Sequence, residues 1–149
     1  MQWFIKHRIG HGHMVKIAIA TDDGKSISDG HFAHAKKYII YELNEDTKDI
    51  KLVESRDNPL GNIPDTDDPT VIHEALSRLG IPMHGIVKYQ WLHENVLRDV
   101  DAVIASGACE TSYEYFTSMG IQLFFVEPGT PIDTLIEQLR NAANEEDIK

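Results

Sequence analysis

Hydrophobic positions in this chain alternate between the two-residue period of strands and the longer period of helices. The segments that predict strands are VKIAIAT, YIIYEL, DIKLVES, VDAVIAS and IQLFFVE, at residues 15–21, 38–43, 49–55, 100–106 and 121–127. The segments that predict helices follow Asp68, span about 88–98 and 110–120, and follow Thr130. Strands and helices therefore alternate along most of the chain, which indicates an α/β protein.

Capping residues mark the ends of the first predicted helix. Asp68 followed by Pro69 forms an N-cap and first-turn pair, and Gly80 is expected to end the helix. Its apolar stripe would consist of Ile72, Ala75, Leu76 and Leu79. The last helix has the same kind of beginning, with Thr130 as cap and Pro131 in the first turn.

The connections predict how the strands pair. The NEDTK segment between 38–43 and 49–55 is too short for a crossover, so these strands should form an antiparallel hairpin. A helix joins 100–106 to 121–127, which predicts a parallel pair. The expected fold is α/β, with a mixed five-stranded sheet flanked by helices. If the strands at 15–21 and 100–106 are parallel neighbours, their carboxyl ends open into one crevice, where ligands bind in open α/β sheets.

Length and charge narrow the choice of partners. The chain has 149 residues, the size of one ordinary domain. Residues 1–13 show neither period and are interpreted as a flexible leader or an extension introduced by cloning, so that 14–149 form the single domain. The chain has a formal net charge of −10. Such a charge repels phosphate backbones, so nucleic acid is not an expected partner.

The cysteine content and hydropathy predict the compartment. Cys109 is the only cysteine and cannot form an internal disulfide. No apolar run is long enough to cross a membrane, and no signal-peptide core is present. We expect a soluble, cytoplasmic protein with no membrane partner.

Two loops at the predicted crevice carry candidate ligands. The loop after the first strand contains His31 and His34, and the loop SGACET at 106–111 contains Cys109 near the start of a helix. Imidazole and thiolate both bind iron and other transition metals, and a helix N-terminus favours anions. His31, His34 and Cys109 are therefore the candidate cofactor-binding residues, with His31 and His34 as candidate metal ligands.

Structural interpretations of these residues stay open. His31 could simply hydrogen-bond the loop to the strand end, His34 could be an ordinary exposed histidine, and Cys109 could be a small buried hydrophobic residue. The remaining candidates outside residues 1–13 are interpreted as structural or solvated: His73, His84 and His93, and the acidic Asp65, Asp67 and Asp68, which lack the later bidentate glutamate of a calcium loop.

Several segments together resemble the dinitrogenase iron-molybdenum cofactor biosynthesis family. They are MVKIAIATDDG, HFAHA before YIIYEL, DNP at 57–59, VDAVIASG, MGIQLFF and GTPIDTLIEQL, and they span most of residues 14–140. The resemblance implies a ribonuclease H-like α/β fold with no catalytic machinery of its own. It also implies that the protein binds or carries an iron-molybdenum or related iron-sulfur type cluster, and it suggests a cofactor-assembly protein as a partner.

The chain departs from the family pattern in three places. The usual segment is His-Phe-Gly-Arg-Ala, whereas here His31 is matched but Ala33 and His34 replace the glycine and the arginine. SGACETS replaces a glycine-rich turn, and residues 60–99 form a longer connection with an extra helix. The replacement of arginine by His34 exchanges a permanent cation for a side chain that can be neutral at pH 7.

The resulting hypothesis is non-catalytic binding, storage or delivery of an iron-molybdenum or related metal-sulfur cluster. One alternative is a metal-dependent phosphoryl hydrolase of ribonuclease H-like fold, which would need Asp22, Asp23, Asp101 and Glu110 to converge on metal ions. The other is a protein-interaction module without a cofactor, docking through its acidic surface.

Overall fold

The predicted strands form one mixed sheet. The structure is a computed structural model, which describes residues 14–62, 68–78, 80 and 85–148. Within those residues the strands are β1 (Met14–Thr21), β2 (Lys37–Asn44), β3 (Ile50–Asp57), β4 (Ala102–Ala105) and β5 (Gln122–Phe125). The helices are α1 (Pro69–Arg78), α2 (Gly85–Asn95), α3 (Glu110–Ser118) and α4 (Ile132–Ile148).

The strand order β3-β2-β1-β4-β5 confirms the predicted topology. β2 is antiparallel to both β1 and β3, while β4 is parallel to both β1 and β5. The hairpin therefore extends the sheet on one side of β1, and β4 and β5 extend it on the other. The carboxyl ends of β1 and β4 lie side by side, as the shared crevice requires. The mixed α/β architecture is confirmed, while the ribonuclease H-like assignment stays a prediction.

Alternating side chains of β1 divide the core into two layers. Ala18 and Ala20 face a core that contains Leu92 of α2 and Phe116 of α3. The intervening residues face a second core, which α4 covers: Val15, Ile17 and Ile19 against Ile132, Leu135, Ile136 and Leu139. Both faces of β1 are thus covered, which explains its nearly continuous apolar sequence.

The two predicted ends of α1, at Asp68 and Gly80, have the expected capping geometry. The Asp68 carboxylate accepts a hydrogen bond from the Thr70 N–H at 2.9 Å, and Gly80 adopts a φ of 70° beyond the end of α1. Leu76 of the predicted apolar stripe is buried. The side chains of Ile72 and Leu79 lie outside the described residues, as do residues 1–13.

The second helix lies three residues earlier than predicted, at Gly85–Asn95 rather than 88–98. It ends where the Leu97 N–H donates to Leu92 O at 3.1 Å, five residues back, so the helical pattern is broken. Within the described part of the chain, no helix is both long enough and apolar enough to span a membrane.

Candidate functional site

The loop after β1 is fastened to the loop after β4 by hydrogen bonds. The Phe32 N–H donates to Gly107 O at 2.9 Å, and the Gly30 N–H donates to Ser106 Oγ at 3.0 Å. Ser106 Oγ in turn donates to Ser28 O at 2.8 Å. The two loops that carry the candidate ligands therefore face each other, as predicted.

A single 3-10 turn, Phe32–His34, holds the two histidines in place. Phe32 is fully buried, with its ring centroid 5.1 Å from that of Phe116, so the turn is anchored in the core. The buried Asn58 side chain donates to Ala33 O and Ala35 O, both at 2.8 Å. This gives a structural role to the DNP segment at 57–59, for which the sequence suggested none.

Gly61 lies against the same turn so closely that a side chain cannot be accommodated. A Cβ atom at this position would lie 2.6 Å from both Ala35 O and Lys36 Cα. Because these are backbone atoms of the histidine segment, they cannot rotate away as a flexible side chain could. The connection that follows β3 thus packs against the backbone of the segment that carries His31 and His34.

Cys109 is the N-cap residue of α3. Its Sγ atom lies 3.4 Å from both the Ser112 N–H nitrogen and Ser112 Oγ, and 3.2 Å from the Tyr89 hydroxyl oxygen. Burial raises the pKa of the Cys109 thiol, but hydrogen bonds from these groups and from the Thr111 N–H outweigh it, so the pKa lies below its ordinary value of 9.0. The hydrogen bonds at this site therefore make the Cys109 thiol easier to ionise.

Tyr89 and Ser112 connect the cysteine to His31. His31 Nε2 lies 3.3 Å from Tyr89 Oη and 3.2 Å from Ser112 Oγ. The His31 and Tyr89 rings are stacked, with centroids 5.6 Å apart and an interplanar angle of 10°. We call His31, His34, Lys88, Tyr89, Cys109 and Ser112 the histidine–cysteine cluster.

The backbone determines the tautomer of His31. The Ala33 N–H donates to His31 Nδ1 at 3.0 Å, so the neutral imidazole carries its proton on Nε2. Nε2–H can then donate to Tyr89 Oη, and the Tyr89 hydroxyl can donate to the Cys109 sulfur. In this arrangement all three hydrogen bonds are directed toward the Cys109 sulfur and would stabilise a negative charge on it.

His34 lies at the rim of the cluster beside Lys88. Its Nδ1 atom is 3.4 Å from Leu60 O, and its Nε2 atom is 3.5 Å from Lys88 Nζ. The His31 and His34 rings meet edge to face, with centroids 5.6 Å apart. Lys88 Nζ also lies 5.1 Å from the centroid of the Tyr89 ring.

Burial and neighbouring positive charge keep both histidines neutral at pH 7. Burial, and then the charges of His34 and Lys88, lower the pKa of His31 to about 4. Burial and Lys88 also lower the pKa of His34. Burial, followed by the hydrogen bond and charge of Cys109, raises the pKa of Tyr89, so its hydroxyl stays a donor.

The structure brings the three predicted residues, His31, His34 and Cys109, into one cluster. It adds three residues that the sequence reasoning did not identify: Lys88, Tyr89 and Ser112. The signal that could have found the first two is the helix predicted near 88–98, because α2 supplies both. Ser112 could have been found as the partner of Cys109 in a capping box, since it occupies the third position of α3.

The other histidines behave as interpreted where they are described. His93 packs against Tyr115 and Phe116, with ring centroids 5.9 and 5.8 Å away, which is a structural role. His73 is exposed on α1. His84, Asp65 and Asp67 lie outside the described residues.

Three of the four carboxylates that a hydrolase would need bind backbone N–H groups, and the fourth, Glu110, is exposed in the first turn of α3. Asp101 accepts a hydrogen bond from the Lys16 N–H at 2.9 Å, at the amino end of β4 and away from the crevice. Asp22 accepts from the Lys36 N–H at 2.9 Å, and Asp23 accepts from the N–H groups of the Lys25–Ser26 turn at 2.8 and 2.9 Å. Over the described ranges, no three His, Cys, Asp or Glu side chains are grouped so as to hold a metal ion.

The fold and the histidine–cysteine cluster together define an α/β protein with a group of contacting polar side chains at the carboxyl ends of two parallel strands. The sequence profile of the family described as dinitrogenase iron-molybdenum cofactor matches residues 13–142, and the chain belongs to this family. The membership supports a role in the biosynthesis or handling of that cofactor.

Two solved structures are similar to this chain at low sequence identity. The crystal structure of PH0822 is 17% identical and aligns over 86% of this chain and 92% of its own, with a TM-score of 0.49. The NMR structure of a Thermotoga protein provisionally described as a NifB protein is 21% identical and aligns over 88% of both chains, with a TM-score of 0.42. No curated protein sequence matches the chain.

Proposed function

We propose that this protein binds a metal-sulfur cluster of the iron-molybdenum type as cargo and stores or delivers it without catalysing a reaction. The observation that carries the proposal is the convergence of Cys109 and His31 on the same two hydroxyl groups, those of Tyr89 and Ser112, at the carboxyl ends of β1 and β4. Family membership supports the same kind of ligand.

The side chains of the histidine–cysteine cluster suit a preassembled metal-sulfur cluster better than a bare metal ion. A bare transition metal needs about four ligands from the protein and solvent, in a fixed geometry. A preassembled cluster brings its own sulfide ligands and needs few bonds from the protein. The histidine–cysteine cluster offers one thiolate and two imidazoles, surrounded by hydroxyl donors that can bond to sulfide.

Cys109 is the residue we assign as the sulfur ligand, because its pKa is lowered and its thiolate lies at a helix N-terminus. His31 has two available roles. It can coordinate through Nε2 if its proton moves to Nδ1 and the Ala33 hydrogen bond is given up, or it can keep that bond and donate Nε2–H to a cluster sulfide.

His34 is the third candidate ligand, at the edge of the site. Its Nε2 atom faces Lys88, so coordination there would require the ammonium group to move aside. Replacing His34 by arginine restores the usual residue of the family and distinguishes the two roles of this position. Tighter cluster binding by His34→Arg would show that position 34 acts through charge, and weaker binding would show coordination.

Each alternative function has less support. A two-metal phosphoryl hydrolase of ribonuclease H-like fold needs carboxylates at the crevice, but Asp22, Asp23 and Asp101 hold backbone N–H groups. A pure interaction module would explain the acidic surface but not the directed hydrogen bonds toward Cys109. We place the protein in the cytoplasm, with a cofactor-assembly protein as donor or recipient of the cluster.

The test is anaerobic titration of the full chain with a preformed iron-molybdenum or iron-sulfur cluster, followed by visible absorption. The variants are Cys109→Ala, His31→Ala, His31→Gln and, as a matched control, His73→Ala on α1. We expect saturable binding by wild type and by the control, and a loss of affinity of about 10- to 100-fold in Cys109→Ala and His31→Ala. Transfer to an apo-acceptor then tests delivery.

His31→Gln separates the two roles of His31, because glutamine keeps an N–H donor but is a poor ligand for these metals. Affinity near that of wild type would assign hydrogen bonding, whereas a loss equal to that of His31→Ala would assign coordination. Absence of saturable binding by wild type would overturn the proposed function. Equal binding by wild type, Cys109→Ala and His31→Ala would overturn the site.

A further inference from the structure

Lys88 is a half-buried cation at the rim of the histidine–cysteine cluster. Its ammonium group contacts His34 Nε2 at 3.5 Å and lies over the Tyr89 ring, and no carboxylate of the described residues forms an ion pair with it. By contrast, Lys16 and Arg56 each form an ion pair with Asp99, at 2.8 Å.

The described neighbours of Lys88 are His34, Tyr89 and Cys109, which are the groups already assigned to the ligand. Burial lowers the pKa of Lys88, and the negative charge that Cys109 carries as a thiolate raises it. Taking an ammonium group out of water costs free energy that anionic groups beside it offset, so the position of Lys88 favours negative charge at this site.

We infer that Lys88 is the specificity-determining residue of the site and selects metal species that carry a net negative charge, such as thiometallates and anionic metal-sulfur clusters. The inference rests on the proposed function and names the class of its ligand. A fixed ammonium group attracts the sulfides of an anionic species and repels a bare metal cation approaching the same donors.

Lys88 also compensates for the departure at position 34. Where the family pattern has arginine, this chain has His34, which is not a permanent cation. Lys88 of α2 places an ammonium group 3.5 Å from His34 Nε2. The charge missing from the histidine segment is thus supplied from α2.

The experiment uses tetrathiomolybdate, a dianion of molybdenum and sulfide, as the probe in anaerobic calorimetric titrations of the full chain. Lys88→Met removes the charge while keeping an unbranched apolar stem, Lys88→Arg keeps the charge, and Lys51→Met on the exposed strand β3 is the control for loss of one lysine. We expect Lys88→Met to bind roughly tenfold more weakly or worse. Lys88→Arg and Lys51→Met should stay within about threefold of wild type.

The salt dependence of binding is a second measurement, and mutation of Lys88 would not change it if Lys88 had a purely structural role. Tetrathiomolybdate binding by wild type should weaken as sodium chloride rises, and Lys88→Met should flatten this dependence. Equal affinity and equal salt dependence of Lys88→Met and wild type would overturn the inference, as would equal losses in Lys88→Met and Lys88→Arg. If wild type binds the preformed cluster but Lys88→Met binds it equally well, only the role of Lys88 is lost and the proposed function stands.

Discussion

The ion pairs around Asp99 and the histidine–cysteine cluster are both built from side chains far apart in the sequence, yet their charges are balanced differently. Asp99 receives Lys16 at 2.8 Å and Arg56 at 2.8 and 2.9 Å, and Arg56 also meets Glu54 at 2.9 Å. In the histidine–cysteine cluster, no carboxylate of the described residues pairs with Lys88, and the negative charge that raises its pKa is that of Cys109. The network around Asp99 is complete without a ligand, whereas the second arrangement places its cation beside the residue that we assign as the sulfur ligand. The first arrangement contributes to stability, and the second is suited to binding.

The largest expected effect comes from removing the Asn58 side chain, which supports the backbone of the histidine segment. Asn58→Ala removes a buried side chain that donates to Ala33 O and Ala35 O, leaving both carbonyls without that partner. We expect a loss of roughly 2–4 kcal/mol in the free energy of unfolding, measured by urea denaturation, together with weaker cluster binding. Asn95→Ala, on the exposed end of α2, is the control and should cost much less. Equal stability of the two variants would show that Asn58 does not hold the histidine segment.

Mutations in the ion-pair network around Asp99 should change the stability of the protein and leave its affinity for the metal-sulfur cluster unchanged. Asp99→Asn removes the carboxylate that Arg56 and Lys16 share, and it should lower the free energy of unfolding by about 1 kcal/mol or less at low salt. These partners hold the pKa of Asp99 well below its usual range, so its contribution is present above about pH 4 and is lost on further acidification. Cluster affinity should stay within about twofold of wild type. A larger change in binding would mean that the two regions are coupled.

A smaller effect is expected in the pH dependence of stability. Unfolded His31 takes up a proton near pH 6.5, but the folded residue does so only near pH 4, because burial and the neighbouring positive charges disfavour its protonation. Folding stability should therefore decline as the pH falls from about 6.5 to 4, and His31→Gln should reduce that decline. Denaturation curves at several pH values measure it, and parallel declines in both proteins would contradict the lowered pKa.

The subtlest expected change is in the reactivity of Cys109. The rate of alkylation by iodoacetamide should rise with pH around a midpoint below 9.0, because hydrogen bonds stabilise the thiolate. Tyr89→Phe should move the midpoint upward, since it removes one of those donors. Tyr113→Phe, at an exposed position of α3, is the control. An unchanged midpoint in Tyr89→Phe would mean that the Tyr89 hydroxyl does not support the thiolate.

Sequence periodicity was enough to predict the sheet and its strand order, because both depend on apolar alternation and on the lengths of connections. It also placed His31 and Cys109 at facing loops, since the carboxyl ends of parallel neighbours must meet. It did not identify Lys88 or Tyr89, because the weak amphipathic pattern of α2 did not show which of its residues face the two loops. The role of Asn58 depends on a backbone contact across the fold, which no local pattern indicates.

The most direct test of the central claim is whether bound cluster protects Cys109 from alkylation. Cys109 is the only cysteine, so the reaction reports on this site alone. The protein would be loaded anaerobically with the iron-molybdenum or iron-sulfur cluster, treated with iodoacetamide, and analysed by mass spectrometry. A cluster in the crevice between the β1 and β4 loops predicts that alkylation slows by at least about tenfold and recovers when the cluster is transferred to an acceptor. Alkylation of the fully loaded protein at the rate of the free protein would contradict the account.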